Sequence, residues 1–558
     1  MLARSTLVLA VAPLFASGCA DSSCRDARCS GNGEGGITAT VDDGTSAGPT
    51  DGGQGTVADA TSQTTSGADE EGTGPKFDFG ELPPPPDLGG NEGPIIPTTC
   101  AEADAGQSTV GCTFYGVDMD SHDFVETSQY AIAVANVQLA GDASVTVENK
   151  QGGAWQVIAG PQVVPALGLY TFSLPDRHTD DTQLFAGGAY RVVSDVPIAA
   201  YQFNPVDGAS SLISDASMLY PVPALDTLNH VTAWTSMQDN SGTFQHSYTT
   251  IVATSDGTQV GITPSVATAA GGSVPAGVAG TEFVVDMDDG DVLSIANAAL
   301  GTSITGTRIE SNDAHPVAVF AGQECALIPE NVCCCDHLEE QLAGVRLWGT
   351  EFIASRMPVR NVAAPESTLW QIYASEDGTN VTIEADPGVT GIVDTQFVLQ
   401  QGQVSQMYVS GPPGEEGDFR IVADKPINVL GYMVGSENLP AALNTTGDPA
   451  AIQLSPIEQY LPRYVVLVPG TWINDYAVIT RPNGAAITID GVPVPDADFE
   501  PVGASGFEVA RVSVLDGVHV LDGGDAPFQV IIVGYDQWDS YAYLGGTGTG
   551  TINPDPEG

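Results

Sequence analysis

Four of the nine cysteines lie close together in the segment PVAVFAGQECALIPENVCCCDHLEEQL, residues 316–342, which also carries His337 and several acids. Cysteine beside histidine can act as a nucleophile with its base. Cysteine, histidine and carboxylate side chains can also hold a metal ion, and two cysteines can form a disulfide. A nucleophilic or metal-binding cysteine needs a reduced thiolate, so the compartment of the chain decides among these chemistries.

The first residues predict export. Arg4 is followed by an apolar run and then by small residues, which is the pattern of a secretory signal peptide at 1–18. The stretch Ala16-Ser17-Gly18-Cys19 resembles the lipobox of bacterial lipoproteins, although leucine is commonest where this chain has Ala16. It predicts a lipid on Cys19; the alternative is an ordinary signal peptide cleaved nearby. In an oxidising compartment clustered cysteines are normally disulfide-bonded.

The amino-acid composition excludes some classes of binding partner. The chain has 70 Asp and Glu against 16 Lys and Arg, a net charge of −54. Such a surface repels nucleic-acid phosphates and anionic headgroups, which excludes nucleic acid as a partner. No segment after the signal has the roughly 18 consecutive apolar residues of a spanning helix, so membrane contact is predicted only through the lipid. The predicted location is the cell envelope or outer surface, or the medium.

The composition and the hydrophobic pattern of the chain then change twice. Residues 19–99 are rich in Gly, Ser, Thr, Asp and Pro and have no apolar periodicity, which predicts a disordered tether. From Cys100 onward, β-branched residues alternate with polar ones, which favours short strands. A further short tail, 547–558, is predicted to be flexible.

Two elements recur in the β region. The first is a strand, a turn and a strand, at 250–264, 370–386 and 476–491, with a degenerate copy at 130–149. Its turns, SDGT, EDGT and PNGA, contain the Asp-Gly or Asn-Gly pair of type I′ hairpins. The second element spans 190–205, 307–325, 419–436 and 521–546. It contains an aspartate that recurs at intervals of 118, 111 and 101 residues, namely Asp195, Asp313, Asp424 and Asp525. Prolines 197, 316, 426 and 527 are predicted at strand starts, where a missing N–H is tolerated.

A unit of about 110 residues with several short strands has the size of a β-sandwich. The prediction is therefore an all-β protein of tandem β-sandwich-like repeats after a disordered tether. The alternative is a β-propeller, because about 50 residues can also form a four-stranded blade. The predicted repeats span residues 100–225, 226–345, 346–440 and 441–546.

Several motifs resemble a known family. They are YQFNP (201–205), SDAS (214–217) and CDHLEEQL (335–342), together with the closing segment GVHVLDGGDAPFQVIIVGYDQWDSYAYLGG. Over about residues 113–546 the chain resembles the IgGFc-binding protein N-terminal domain family, particularly its bacterial, myxobacterial-type lipoprotein members. The resemblance implies a secreted or surface binding module without catalytic residues. The immunoglobulin ligand of animal relatives is not carried over to this acidic chain.

The resemblance also implies a disulfide between Cys325 and Cys335. Cys100 and Cys112 form a second candidate pair, and Cys24, Cys29, Cys333 and Cys334 stay unassigned. After the cysteines, Asp336 and Glu339 have the spacing of a helix capping box, with Leu338 and Leu342 on one helical face. This predicts a helix there and a structural role for His337.

Two clusters of acidic residues could supply ligands for calcium. The clusters are Asp118-x-Asp120-x-x-Asp123 and Asp286-x-Asp288-Asp289-Gly290-Asp291, and neither fits the twelve-residue EF-hand loop. They are interpreted as turn acids, with calcium as the alternative and no cofactor predicted. A set of aromatic residues is similarly interpreted as sheet packing, with a binding surface as the alternative. That set is Tyr201, Phe203, Tyr535, Trp538, Tyr541 and Tyr543.

Catalytic signatures are absent from the sequence: it has no G-x-S-x-G elbow, no H-E-x-x-H, no Walker A motif and no dinucleotide fingerprint. The prediction is an exported, lipid-anchored surface protein, not an enzyme, whose β repeats bind an extracellular protein or glycan. The alternatives are an extracellular hydrolase or metal-dependent enzyme, and a structural spacer of the envelope.

Overall fold

The computed structural model describes residues 96–206, 211–239, 241–330 and 332–554. The predicted signal peptide, Cys19, Cys24, Cys29 and the predicted tether up to residue 95 lie outside the described residues. The last residues of the predicted tail, 555–558, also lie outside them.

Helix is scarce in the described part of the chain. One α-helix, α1 (Cys100–Ala105), begins with a capping box, in which Thr99 Oγ1 accepts the Glu102 N–H and the Glu102 carboxylate accepts the Thr99 N–H. Short 3-10 helices span Val222–Ala224, Val345–Leu347, Ser436–Asn438, Ile457–Gln459 and Asp496–Asp498. Within the described ranges, no helix has both the length and the apolar character needed to cross a membrane.

Strands make up most of the described structure, which confirms the all-β prediction. The first are β1 (Gly111–Gly116), β2 (Ala131–Asn136), β3 (Ala143–Gln151), β4 (Ala154–Val164), β5 (Leu169–Ser173), β6 (Gln183–Phe185), β7 (Tyr190–Asn204) and β8 (Asp215–Met218). The next are β9 (Leu228–His230), β10 (Met237–Gln238), β11 (Phe244–Gln245), β12 (Ser247–Ala253), β13 (Thr258–Thr263), β14 (Phe283–Met287), β15 (Val292–Ala296), β16 (Arg308–Ser311), β17 (Val317–Ala326) and β18 (Asp336–Gln341).

The second half of the described chain continues in the same way. Its first strands are β19 (Glu351–Ala354), β20 (Thr368–Ala374), β21 (Thr379–Ala385), β22 (Gln396–Leu399), β23 (Val404–Val409), β24 (Phe419–Ala423), β25 (Ile427–Tyr432) and β26 (Ala451–Gln453). Its last strands are β27 (Arg463–Val468), β28 (Asn474–Pro482), β29 (Thr488–Ile489), β30 (Val492–Pro493), β31 (Phe499–Pro501), β32 (Phe507–Val514), β33 (Gly517–Asp522), β34 (Gln529–Asp536) and β35 (Asp539–Leu544).

These strands repeat one topology four times, and every pairing is antiparallel. Each repeat has an outer sheet, ordered β4-β3-β7-β1, β14-β13-β16-β9, β22-β21-β24-β19 and β30-β29-β33-β27. Each also has an inner sheet, ordered β5-β2-β7-β8, β15-β12-β17-β18, β23-β20-β25-β26 and β32-β28-β34-β35. In repeat 1 the long strand β7 serves both sheets: residues 190–194 pair with β3 in the outer sheet and residues 198–203 with β2 in the inner sheet.

The two sheets of a repeat pack face to face, which favours the sandwich over the propeller. In repeat 2 one apolar core combines Ile251 of β12 and Val319 of β17 with Val260 and Ile262 of β13. The outer strand β13 alternates buried and more exposed residues, as expected of a sheet with one solvent face.

The inner sheets are buried on both faces. Every residue of β12, β17, β20, β25, β34 and β35 is buried. In β12, Ile251 and Ala253 enter the core of repeat 2, whereas Tyr248 and Val252 enter a larger core shared with the other repeats. Near-continuous apolar runs such as VAVF at 317–320 are the sequence counterpart of two-sided burial.

The predicted type I′ hairpins are wrong. The strands on either side of each turn, for example β12 and β13, belong to different sheets of their sandwich. Type I′ geometry needs positive φ at both central residues. Here Gly257 has φ +74° and Gly378 has φ +70°, whereas Asp256 and Asp377 are not among the residues with positive φ. The Asp-Gly pair therefore turns the chain from the inner to the outer sheet.

Other local predictions meet mixed outcomes. Pro316 and Pro426 lie directly before β17 and β25, and Pro527 lies two residues before β34, as predicted. Pro197 instead lies inside β7, where the strand passes between sheets. The strand β26 pairs with β25, so the inner sheet of repeat 3 continues past the predicted boundary at residue 440. The remaining repeat boundaries stay predictions.

Glycine recurs in the inner sheets of repeats 2 to 4 because an aromatic ring lies over it. Gly322 pairs with Tyr248, Gly431 with Trp370 and Gly534 with Tyr541 across neighbouring strands. A Cβ at Gly322 would lie 2.2 Å from Tyr248 Cζ, and one at Gly534 would lie 2.1 Å from Tyr541 Cε1.

We expect Gly322→Ala to lower the free energy of unfolding by about 1–3 kcal/mol, because the methyl group displaces the Tyr248 ring from a packed core. Denaturant titration of the full chain measures this change. Gly470→Ala is the matched control, since its nearest neighbour would be the Asp516 Oδ2 atom at 3.3 Å. Equal stability of the two variants would contradict the close aromatic packing.

Candidate functional site

The last strand of each repeat, here called the closing strand, meets the other three at the centre of the described structure. The closing strands are β8, β18, β26 and β35. Between repeats 1 and 2, Gln341 N–H donates to Ser217 Oγ over 2.7 Å. Between repeats 3 and 4, Asp448 N–H donates to Ser540 Oγ over 3.1 Å, and Ser214 Oγ donates to Asp539 Oδ1 over 2.7 Å to join repeats 4 and 1.

Two further contacts complete the ring of repeats. Ala343 N–H, just after β18, donates to Gln453 Oε1 of β26 over 2.7 Å. Before β1 and after β35, Thr549 N–H donates to Gln107 O over 2.9 Å, and Thr109 N–H donates to Thr547 O over 3.2 Å. The four repeats therefore form a closed ring.

Each closing strand is associated with a buried aspartate. Asp215, Asp336 and Asp539 are the first residues of their strands, and Asp448 lies shortly before β26. All four have a relative exposure of 0%. Asp336 Oδ1 accepts the Ser214 N–H over 2.5 Å. We call these four residues the aspartate quartet.

The carboxyl groups of the quartet repel one another. Burial raises the pKa of Asp336 well above its ordinary value, and the charge of Asp539 raises it further. Burial likewise raises the pKa of Asp215 and of Asp539. The neighbouring Glu339 and Glu340 are raised for the same reason. These pKa values favour neutral, protonated carboxyl groups at the centre.

The cysteine segment lies at the edge of this centre and forms no thiolate site. The structure joins Cys325 to Cys335, with a Cα–Cα distance of 5.1 Å, and joins Cys333 to Cys334. Cys100, on α1, is joined to Cys112 of β1 over a Cα–Cα distance of 5.6 Å. All six described cysteines are thus oxidised.

The predicted helix after these cysteines is wrong. Asp336–Gln341 is the strand β18, and all six of its residues are buried. Asp336 has the sequence of a helix cap, but its Oδ1 accepts N–H groups from Ser214 and His337. Pairing with β17 and packing against the other closing strands outweigh the local capping preference.

His337 cannot serve as a solvent-accessible base. Its side chain is fully buried, and burial lowers its pKa to about 3, so the ring is neutral. The nearest carboxylate oxygen, Glu339 Oε2, lies 3.7 Å from its Nε2 atom.

The acidic clusters form turn and hydrogen-bond contacts. Asp118 Oδ2 accepts the Arg177 N–H over 2.9 Å, and Asp120 Oδ2 accepts the Asp181 N–H over 2.8 Å. In the second cluster, Asp289 accepts hydrogen bonds from Tyr115 Oη and Trp155 Nε1, each over 2.7 Å. These contacts are compatible with the interpretation as turn acids, and calcium binding stays the untested alternative.

One set of possible metal ligands lies between repeats 1 and 2. Ligand atoms of Asp181, His246 and Glu324 lie within 4.8 Å of one another, as do those of Asp120, Asp180 and Asp181. His246 Nδ1 is 2.7 Å from Glu324 Oε1 and 3.1 Å from Asp181 Oδ1. Burial lowers the pKa of His246, but the hydrogen bond and charge of Glu324 outweigh it and raise the pKa above its ordinary value. A protonated His246 supplies positive charge between these carboxylates.

The aromatic set is core, as the preferred interpretation predicts. Tyr201, Phe203, Tyr541 and Tyr543 are buried where repeats 1 and 4 meet, and the ring centroids of Tyr201 and Tyr543 are 4.6 Å apart. Trp538 is half-buried, and its Nε1 donates to Asn444 O over 3.1 Å. The alternative interpretation of these residues as a binding surface is wrong.

An apolar groove opens on the side of repeat 3, between the edge strands β22 and β23. It has a volume of about 310 Å³, and its lining includes Phe397 and Met407. Val393 is 90% exposed and Val398 is 53% exposed at its mouth. We call this feature the repeat-3 groove. It is an open, concave surface that is lined by apolar side chains and by Asp394, Ser405 and Gln406.

The described residues thus form a ring of four β-sandwich repeats, with disulfides in repeats 1 and 2. A family model described as IgGFc binding protein matches residues 215–534, more than half of the chain. The protein belongs to this family. A search of curated proteins finds no match.

Sequence reasoning missed the aspartate quartet because it chose a different aspartate as the repeat marker. A signal was present in SDAS, CDHL, GDPA and WDSY, each of which places one aspartate at the start of a closing strand or shortly before it. The signal could be recognised only by aligning the repeats on their closing strands.

We expect the free energy of unfolding of Asp336→Asn, relative to that of the wild type, to increase as the pH rises. A buried carboxyl with a raised pKa contributes stability below its unfolded pKa, and this contribution is lost as the pH rises through the folded pKa. The amide keeps an acceptor for the Ser214 N–H and does not ionise. Denaturant unfolding at about pH 5 and about pH 8 should therefore show a smaller loss of stability for the variant than for the wild type.

Asp525→Asn is the control, because Asp525 is exposed before β34. It should keep the wild-type pH dependence. An Asp336→Asn variant with the same pH dependence as Asp525→Asn would contradict the repulsion among the quartet.

We also expect the double variant Cys325→Ala/Cys335→Ala to lose about 3 kcal/mol of stability, because the disulfide closes a loop in the unfolded chain. Denaturant titration measures the loss. The double variant Cys333→Ser/Cys334→Ser is the matched control, since adjacent residues close no loop of comparable length. Equal losses in both double variants would contradict a stapling role for the 325–335 bond.

Proposed function

We propose that the protein is an exported binding protein, anchored at the cell surface by lipid on Cys19, whose ring of repeats binds an extracellular protein or glycan. Membership of the IgGFc binding protein family supports the extracellular binding role. The lipobox-like Ala16-Ser17-Gly18-Cys19 supports the anchor. The single observation that carries the proposal is the repeat-3 groove, with Val393 and Val398 exposed at its mouth.

The contacts of the described residues favour binding over hydrolysis. An enzyme of the hydrolase class needs a nucleophile and a base that a substrate can reach. The described cysteines are disulfide-bonded, His337 is buried, and the aspartate quartet is inaccessible. The proposal includes no resident cofactor.

Binding can be tested with the purified full chain carrying Cys19→Ser, applied to whole cells and to secreted matrix. We expect saturable binding, because a concave apolar groove on a rigid ring offers a specific site. Protease treatment of the cells should abolish binding to a protein, and glycosidase treatment should abolish binding to a glycan. Binding that never saturates, or that equals that of an unrelated acidic protein, would contradict the proposal.

The anchor has its own test. Metabolic labelling with a fatty-acid analogue should mark the wild-type chain and leave Cys19→Ser unlabelled, because the thioether forms on the Cys19 sulfur. A Cys24→Ser variant is the control and should label like the wild type. Equal labelling of wild type and Cys19→Ser would exclude the anchor without affecting the binding proposal.

A further inference from the structure

The four inner sheets differ at the edge opposite the closing strand. In repeat 2 this edge, β15, is covered by β6, and in repeat 4 the corresponding edge, β32, is covered by β31. In repeats 1 and 3 the corresponding strands, β5 and β23, are the last strands of their sheets within the described residues. A strand of the chain itself therefore covers two of these edges. In repeat 3 an isolated bridge between Thr390 and Ser410 covers the end just past β23, and no described strand pairs with this side of β23 itself.

The covered edges show which structure fits this position. The strand β6 adds to β15 in antiparallel register, with Phe185 opposite Val292, and its Leu184 packs against the core of repeat 2. The strand β31 adds to β32 in the same antiparallel sense, and its Phe499 is buried. In both cases a three-residue strand pairs its backbone with the edge and packs one large apolar side chain against the core, half-buried for Leu184 and buried for Phe499.

The open edge of repeat 3 has the same elements without the added strand. Every residue of β15 is buried, whereas Val404 and Ser405 of β23 are half-buried and Gln406 is exposed. The repeat-3 groove lies directly beside these residues, between β23 and β22.

The edge also lacks the usual protection against pairing. Exposed edge strands normally carry a charge, a proline or a bulge that prevents another strand from adding. The sequence of β23, VSQMYV, has neither a charged residue nor a proline, and its pairing with β20 runs without a register shift. The covered edge strand β32 carries the charged residues Glu508 and Arg511. The open edge strand β23 has no charged residue that would hinder the addition of another strand.

The carboxylates around the repeat-3 groove favour a partner with basic side chains. Asp394 is the one charged residue among the lining residues of the repeat-3 groove. Two more carboxylates lie close by: Asp377 accepts the Gln401 N–H over 3.0 Å, and the charge of Glu330 acts on Tyr408. Basic side chains on a bound segment would complement this local field and the net charge of −54.

We propose that the open edge of β23 binds an extended segment of a partner protein, which adds to the inner sheet of repeat 3 as an antiparallel strand. The segment inserts a side chain of the size of leucine or phenylalanine into the repeat-3 groove and carries lysine or arginine beside it. Backbone pairing supplies affinity, and the groove and its carboxylates supply specificity. This inference rests on the proposed binding function and names the class of partner.

The test selects ligands for the full chain from a display library of short linear peptides. Enriched peptides should combine a large apolar residue with lysine or arginine, and should slow hydrogen exchange at the amides of β23. Because Gln406 is exposed, Gln406→Lys should fold normally and weaken binding of the enriched peptide roughly tenfold or more, because the new charge repels the basic side chains of the peptide. Gln406→Glu is the matched control, with similar size and opposite charge, and should bind at least as tightly as wild type.

Three results would overturn the inference. One is a peptide that protects amides elsewhere and leaves β23 unchanged. Another is equal weakening by Gln406→Lys and Gln406→Glu, which would indicate a steric effect unrelated to charge. The third is a wild-type chain that elutes as a dimer and becomes monomeric as Gln406→Lys, because the edge would then be occupied by a second copy.

The same variants separate this inference from the proposed function. If Gln406→Lys binds cells and matrix as well as the wild-type chain does, strand addition at repeat 3 is wrong and the binding function stands. If neither chain binds saturably, the proposed function itself fails. Loss of binding by Gln406→Lys alone, with Gln406→Glu retained, supports both.

Discussion

Two-sided burial of the inner sheets is the constraint on which the rest of the structure depends. A repeat can cover one face of its inner sheet with its own outer sheet, as Ile251 and Val260 show in repeat 2. The opposite face, with Tyr248 and Phe320, is covered only by the shared core. A single repeat would expose that face to water, so the four repeats stabilise one another through the apolar area that they bury together. Ring closure by residues 107–109 and 547–549 removes the last free end.

Two-sided burial also explains why polar residues are buried among the closing strands, although burying them is unfavourable. Closing strands that meet on all sides leave no solvent face, so their polar residues must bond to one another. Ser214 does so by donating its N–H to Asp336 and its hydroxyl to Asp539. Buried polar groups of this kind cost free energy unless they are satisfied, but they also specify which strands can meet. The two Ser214 contacts thus join repeat 1 to the closing strands of repeats 2 and 4.

The scarce basic residues are used internally, which leaves the surface acidic. Arg356 is almost fully buried, and its Nε donates to Thr368 Oγ1 over 2.9 Å. Arg511 is bound to Asp418 over 2.6 Å, between repeats 3 and 4. With such arginines committed to the fold, carboxylates outnumber basic groups at the surface. This division of roles agrees with a binding protein whose ligand is basic and apolar.

Sequence reasoning predicted the fold class because strand-forming runs and glycine turns recur along the chain and report local structure directly. It failed where tertiary contacts override local preference. Asp336 and Glu339 have the spacing of a capping box, but β17 and the ring centre hold this segment as a strand. The Asp-Gly turns signal a reversal, yet they cannot show whether the next strand joins the same sheet. The open edge of β23 was beyond prediction, because it is defined by a strand that repeats 2 and 4 have and repeat 3 lacks.

Native-state hydrogen exchange of the full chain tests the closed ring most directly. If the four repeats form one cooperative body, the slowest amides of β8, β18, β26 and β35 exchange only through global unfolding and share one opening free energy. A closing strand that opens at a clearly lower free energy than β20, the central strand of repeat 3, would show that its repeat unfolds by itself and would contradict the closed ring.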